Sequence, residues 1–336
     1  MQKGRIVVTG GAGFIGSAIV HELNMCGYED IIIVDDLDNI WDRWKNISNL
    51  DFTELMDKEY FLRNELSNIG AIFHMGASSS TNIKMHDAIH NNYYYTMDTI
   101  ARYARDAKII LASSGSVYGV YDGQARESSR MSPLNPYAFS KSLVDKWMPK
   151  MLNSHSNVVS LRFSNVFGPN EYHKGNMMSI VTKIIGDLRA ERKVELFHDS
   201  HKMNRDFIYV EDVAKIAVKM MASNVWHKEP TKCGIFNVGS NSSVSFLDVA
   251  TMTIEAVLGR PIEEGDIVYK PMPEGLKEKY QYHTLLGNSK IVSATNHNIK
   301  DVLTGIENYV ATFYSRTIKK NIGEVTYDTS KTQKGH

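Results

Sequence analysis

The segment Thr9-Gly10-Gly11-Ala12-Gly13-Phe14-Ile15-Gly16 constrains the fold of this chain more than any other. It follows an apolar run of strand length, Arg5–Thr9, and opens an amphipathic stretch from about Phe14 to Cys26. A strand, a turn with glycine at every third position, then a helix is the context in which a dinucleotide pyrophosphate is cradled. Gly10 permits the tight turn, Gly13 lets backbone approach the phosphates, and Gly16 lets the helix pack on the strand. The helix start offers unpaired N–H groups and a positive dipole end to the anion. Gly11, Phe14 and Ile15 complete the cofactor-binding turn.

Further strand-length apolar runs, Ile31–Val34, Ala71–His74, Lys108–Ala112 and Val158–Phe163, alternate with helical stretches at about Asp87–Arg105 and Tyr137–Leu152. Such alternation implies right-handed β-α-β crossovers and a parallel sheet covered on both faces. The expected fold class is α/β: a Rossmann-like doubly wound parallel sheet with a smaller, discontinuous α/β substrate lobe. Residues 1–165 would form the NAD(P)-binding domain, with returns at about 204–240 and 288–318. Residues 166–203 and 241–287 would form the substrate lobe. In this second half Asn176–Leu188 and Val244–Leu258 read as helices, and Phe207–Tyr209 and Gly234–Val238 read as short strands returning to the sheet. Residues 319–336 are polar and aperiodic, and read as a flexible tail.

Composition narrows the function. Lys plus Arg (38) equals Asp plus Glu (38), so the basic excess of a nucleic-acid binder is missing. The two cysteines, Cys26 and Cys233, form no CxxC pair, and the expectation is a reducing, cytoplasmic setting without disulfides. No apolar run reaches the roughly 18 residues of a membrane span, and no signal-peptide layout is seen. The 12 histidines show no HExxH or clustered pattern, so no metal is expected.

An acidic residue about 20 positions beyond the glycine turn holds the adenosine ribose in such folds. Asp35 fits, and Asp36 either shares the role or faces solvent. A carboxylate there suits NAD, whereas NADP calls for cations, which Arg43, Lys45 and Lys58 could supply. On these residues alone the choice between the two stays open.

Tyr137-Ala138-Phe139-Ser140-Lys141 sets a phenol and an ammonium one helical turn apart on one face. A free tyrosine, with a pKa of about 10, is a poor base at neutral pH. A neighbouring ammonium and a cationic nicotinamide both favour the phenolate. Ser114 follows a strand, at the carboxyl edge where α/β enzymes build their sites, and would hydrogen-bond the reacting carbinol or carbonyl. Ser114, Tyr137 and Lys141 are the candidate catalytic residues.

Together these motifs resemble the extended short-chain dehydrogenase/reductase family over nearly the whole chain. Within it the closest resemblance is to the branch of ADP-L-glycero-D-manno-heptose 6-epimerases. The segments that carry it are His74–Thr81, Asn91-Asn92-Tyr93, Phe163–Gly175, Asn204–Val210 and Lys279-Tyr280-Gln281. His173-Lys174-Gly175 is the most specific of them. The resemblance implies oxidation of a sugar carbinol by bound NADP (NAD being the other choice), then reduction of the ketone from its opposite face. Two faces need two proton-transfer groups, and the resemblance assigns them to Tyr137 and Lys174.

By position, the resemblance also puts Met75, Gly76, Ala77, Ser78, Ser79, Asn91 and Val166 on the cofactor, with Arg43 and Lys58 at the NADP 2′-phosphate. Ser80, Asn165, Lys174, Asn176, Lys183, Phe197, Ser200, Arg205 and Tyr280 fall on the nucleotide-diphosphate sugar. It implies a homo-oligomer. Met75 stands where that branch has an acid, and Asn176 and Lys183 replace a serine and a histidine. Asp38–Asn49, with Trp41 and Trp44, also reads differently. The nucleotide base and sugar therefore stay open.

Three rivals are set against this reading. A 4,6-dehydratase would carry an acid pair where Gly115 and Ser116 stand. A UDP-hexose 4-epimerase needs Ser114, Tyr137 and Lys141 but no second base. A non-catalytic dinucleotide sensor would tolerate loss of Tyr137 or Lys141, and both are present.

Overall fold

Four central strands, β1 (Arg5–Thr9), β2 (Ile31–Asp35), β4 (Ile69–His74) and β6 (Val158–Phe163), bury nearly every residue. Strands covered on both faces belong to parallel sheets between helix layers. The computed structural model describes residues 4–152, 157–223, 226, 234–274 and 281–312. In it these strands join β3 (Glu54–Asp57), β5 (Lys108–Ser114) and β10 (Ile235–Val238) in a seven-stranded sheet ordered β10-β6-β5-β4-β1-β2-β3. Every pairing is parallel.

Alternate side chains of each strand feed two separate cores. Ile6, Val8, Ile31 and Ile33 pack under the helices Phe14–Met25 and Val210–Ala222. Val7, Ile32 and Val34 pack under Tyr95–Tyr103 and Pro136–Leu152. The chain winds outward in both directions from β1 and β4, so a crevice opens at their carboxyl ends, where such sheets bind ligands.

A second lobe carries a three-stranded sheet, ordered β11-β9-β7, of β7 (Asn165–Phe167), β9 (Asn204–Tyr209) and β11 (Ser243–Ser245). It also carries the parallel pair β8 (Val194–Phe197) and β12 (Ile267–Lys270). Phe14, at the start of the first helix, shares a core with Phe167, Val181, Phe207 and Val249. The second lobe thus packs directly on the mouth of the glycine turn.

Three expectations are corrected. Phe207–Tyr209 belongs to the longer β9 and pairs with β7 and β11, not with the large sheet, because β10 alone takes the edge beside β6. The helix expected over Asn176–Leu188 begins at Ile180, capped by the Ser179 hydroxyl, which accepts from the Thr182 N–H. Residues Tyr172–Met177 form a 3₁₀ turn instead, broken at Gly175 by a φ of 51°. The stretch read as one helix from Asp87 is Met85–Ala88, a π-helical segment Ile89–Tyr94, and Tyr95–Tyr103. Lys279, Tyr280 and the tail 319–336 lie outside the described residues. Among the described residues no helix is long and apolar enough to cross a membrane.

Candidate active site

The glycine turn is built backbone against backbone. Gly10 has φ +63°, and a Cβ there would lie 2.8 Å from Gly76, which follows β4. A Cβ on Gly16 would lie 2.1 Å from the Gly10 carbonyl oxygen, and one on Gly13 3.0 Å from it. The helix Phe14–Met25 starts at Gly13 with no side chain capping it. Its first N–H groups are therefore open to an anion. Such a cradle, which any side chain would fill, fits a dinucleotide pyrophosphate.

The cradle opens into a cleft of about 580 Å³. Most of the residues singled out in the sequence line it: Gly10, Gly13, Phe14, Ile15, Gly16, Asp35, Asp36, Arg43, Lys58, Met75, Gly76, Ala77, Ser78, Ser79, Ser80, Asn91, Ser114, Tyr137, Lys141, Val166 and Lys174. Gly11 sits beneath, against Ile33. Asn165, Asn176, Lys183, Phe197, Ser200 and Arg205 are on the second lobe but do not line this cleft. There Lys183 donates to the Asn176 carbonyl at 2.8 Å, and the Arg205 guanidinium lies over the Phe246 ring. Tyr280 falls outside the described residues.

At the adenosine end, the buried Asp35 carboxylate accepts the Ala12 and Asp36 N–H groups, both at 2.9 Å. Arg43 pairs with it at 2.9 Å and also donates to the carbonyls of Asp36, Asn39 and Ile40. Burial pushes the Asp35 carboxyl up from its ordinary value, and Arg43 is the largest opposing influence. Lys58 reaches across to the Asn91 side-chain oxygen at 3.0 Å, with its ammonium over the Tyr95 ring.

At the catalytic end, Ser114 closes β5 and Tyr137 and Lys141 stand on the helix Pro136–Leu152. Burial pushes the Tyr137 phenol above its ordinary value, and its hydrogen bond with Ser114 pulls the other way. The Ser116 hydroxyl and N–H both donate to the Ser114 hydroxyl, at 2.9 and 3.2 Å. The Lys141 ammonium donates to the Ala112 carbonyl at 2.7 Å, and burial pushes it down to about 8.

Lys174 comes from the 3₁₀ turn of the second lobe and enters the cleft beside Phe14, 4.7 Å above the ring. It donates to the buried Glu171 carboxylate at 2.9 Å. Glu171 also accepts from the Gly168 N–H, the Ser179 N–H and hydroxyl, and the Thr182 hydroxyl. This carboxylate is the anchor that sequence reasoning missed, although its spacing three residues before Lys174 was a usable signal.

Two further buried side chains tie together the elements around the cleft. Asn92 accepts from the Ser78 N–H and donates to the Ser78 carbonyl and the Ser140 hydroxyl, clamping the Ser78 loop to the Tyr137 helix. His74, fully buried, links Thr9 and Thr96 under the cradle, and desolvation lowers its pKa to about 3.

The family model for the NAD dependent epimerase/dehydratase family matches residues 6–239. The chain belongs to that family. A relative from Brachyspira hyodysenteriae, an ADP-L-glycero-D-manno-heptose-6-epimerase, is 37% identical over 318 residues, covering 90% of this chain and 96% of the relative. The Helicobacter pylori ADP-L-glycero-D-manno-heptose-6-epimerase has a similar structure, with TM-score 0.76 and 24% identity over 93% of this chain and 97% of that one. A Methanobrevibacter ruminantium UDP-N-acetylglucosamine 4-epimerase gives TM-score 0.78 and 23% identity over 94% of this chain and 100% of that one. The two structural likenesses are likenesses of fold. The matched range, residues 6–239, includes the glycine cradle and Ser114, Tyr137 and Lys141.

Proposed function

We propose that this chain is a nucleotide-sugar epimerase acting on an ADP-linked glycero-manno-heptose, with NADP as its resident dinucleotide. The observation that carries the reading is that two proton-transfer groups from different elements, Tyr137 and Lys174, line one cleft that begins at the glycine cradle. The identity of the Brachyspira relative supports the sugar class. Arg43 beside Asp35 supports a phosphate at the adenosine ribose. The family resemblance supports a cytoplasmic homo-oligomer.

When bound, the dinucleotide supplies a hydride acceptor that returns the same hydride. Everything else falls to side chains. Tyr137 takes the proton from a carbinol of one configuration, and Ser114 keeps a hydrogen bond on the reacting oxygen. Once the carbon is a ketone, Lys174 supplies a proton to the oxygen of the other configuration, and in the reverse direction removes it. One fixed base cannot align with both configurations. The 3₁₀ turn Tyr172–Met177 carries the second group from outside the main sheet. The ring of Phe14 and the Glu171 carboxylate hold its ammonium.

The Lys174–Glu171 pair also favours a second reading, in which Lys174 is only a tether and Tyr137 serves alone, as in a UDP-hexose 4-epimerase. Replacing Lys174 with Ala separates the two. The heptose reading predicts that epimerisation, followed by resolving the two ADP-heptose epimers chromatographically, falls by at least about a hundredfold. Near-normal turnover of the variant, or conversion of UDP-hexoses alone, favours the single-base reading.

A further inference from the structure

Lys174 is held from two sides. On the second lobe Glu171 ties it to Ser179 and Thr182. On the other side its neighbour Tyr172 crosses to the dinucleotide-binding half. The Tyr172 hydroxyl donates to the Asn46 side-chain oxygen at 2.7 Å and lies 3.4 Å from the Asp42 carbonyl. Asn46 is buried and passes the connection on, donating to the Ala12 carbonyl at 2.9 Å. Ala12 is part of the glycine turn, and its own N–H binds Asp35.

An unbroken chain of hydrogen bonds therefore runs from the Asp35 carboxylate through the glycine turn and Asn46 to the turn that carries Lys174. The Asn46 segment, Trp41–Asn46, also carries Arg43, which walls the adenosine end. His173, between Tyr172 and Lys174, lines the same cleft, and its pKa is lowered by burial and then by Arg43 and Lys174.

We propose that the Tyr172–Asn46 hydrogen bond is a clasp that positions Lys174 and couples its placement to occupancy of the adenosine end. Tyr172 is a positioning residue: it acts through Asn46 on one side and through the 3₁₀ turn on the other. The physical reason is the turn itself. Gly175, at φ 51°, interrupts it just after Lys174, so nothing helical fixes the approach of the ammonium to the cleft. The Tyr172–Asn46 hydrogen bond, tying the turn to a buried side chain of the other half, restricts that freedom. The inference rests on Lys174 being the second proton-transfer group.

The test compares Tyr172→Phe, which removes only the hydroxyl, with Tyr172→Ala and Lys174→Ala. Each ADP-heptose epimer is mixed separately with NADP⁺-loaded protein, and reduction of the dinucleotide is followed in a single turnover. NADP⁺ affinity is measured in parallel by calorimetry on protein stripped of dinucleotide. The clasp predicts that Tyr172→Phe slows oxidation of the Lys174-dependent epimer by about ten- to a hundredfold and leaves the Tyr137-dependent epimer near wild type. It also predicts NADP⁺ affinity weakened by about fivefold.

Equal slowing of both epimers, or wild-type rates and affinity for Tyr172→Phe with loss only in Tyr172→Ala, would overturn it. If Lys174→Ala itself oxidises both epimers normally, the two-base reading has failed. If Lys174→Ala is selectively inactive while Tyr172→Phe is normal, the clasp alone has failed.

Discussion

Burial drives Tyr137 and Lys141 toward their neutral forms together, raising the phenol and lowering the ammonium to about 8. A phenol and an amine four residues apart on a helix were legible in the sequence as a pair. Which neighbours each reaches was not legible, because those contacts come from other elements. Ser114 comes from β5 and meets the phenol, while the Ala112 carbonyl on the same strand takes Lys141. Neither contact has a sequence spacing that announces it.

His74 shows the same limit and gives a prediction at this scale. The Thr96 hydroxyl donates to the Asn92 carbonyl, so the His74 Nε2 donates to Thr96, while Nδ1 meets the Thr9 hydroxyl at 3.0 Å. Burial favours the neutral ring. The folded pKa, about 3, lies below the ordinary value of 6.5, so the unfolded chain binds the extra proton between them. Stability from this group is whole above pH 6.5 and is lost as pH falls toward 3. Urea unfolding across pH 4–7 should show the advantage of wild type over His74→Gln shrinking by up to about 1.4 kcal/mol per pH unit below 6. A difference independent of pH would refute the neutral assignment.

Among the elements, the glycine turn was read almost completely from the sequence because each glycine answers a local steric demand. Those demands differ, and the difference is testable. A methyl on Gly16 collides with the Gly10 carbonyl at 2.1 Å, whereas one on Gly13 meets it at 3.0 Å. Gly16→Ala should therefore destabilise the fold by about 1–3 kcal/mol in denaturant melts. Gly13→Ala should fold nearly as well but bind NADP⁺ about tenfold more weakly by calorimetry. Equal stability losses with unchanged affinity would contradict the cradle.

The helical stretch after Met85 resisted reading for the opposite reason. Its apolar pattern runs on as one helix, yet the wider π turn at Ile89–Tyr94 interrupts it. There Asn91 meets Lys58 at the cleft while Asn92 turns inward to Ser78 and Ser140. Hydrophobic period does not encode such an offset.

For the whole molecule, the strand order follows from buried apolar runs separated by crossover helices, and the crevice between β1 and β4 follows from the order. The second lobe was less legible. β7 and β11 have three residues each, and their pairing with β9 is non-local, so no period or turn signal specifies it. This packing nonetheless carries Lys174 into the cleft at Phe14.

All of the proposed chemistry depends on the migrating hydrogen leaving one carbon as hydride and coming back to it. The most direct measurement uses ADP-heptose carrying deuterium on the carbinol carbon that inverts, incubated with the purified protein and read by NMR and mass spectrometry. The account predicts an inverted product that keeps its deuterium at that carbon, with none gained from or lost to water. Loss of the label to solvent as the centre inverts would mean removal of a proton from carbon, and would contradict it.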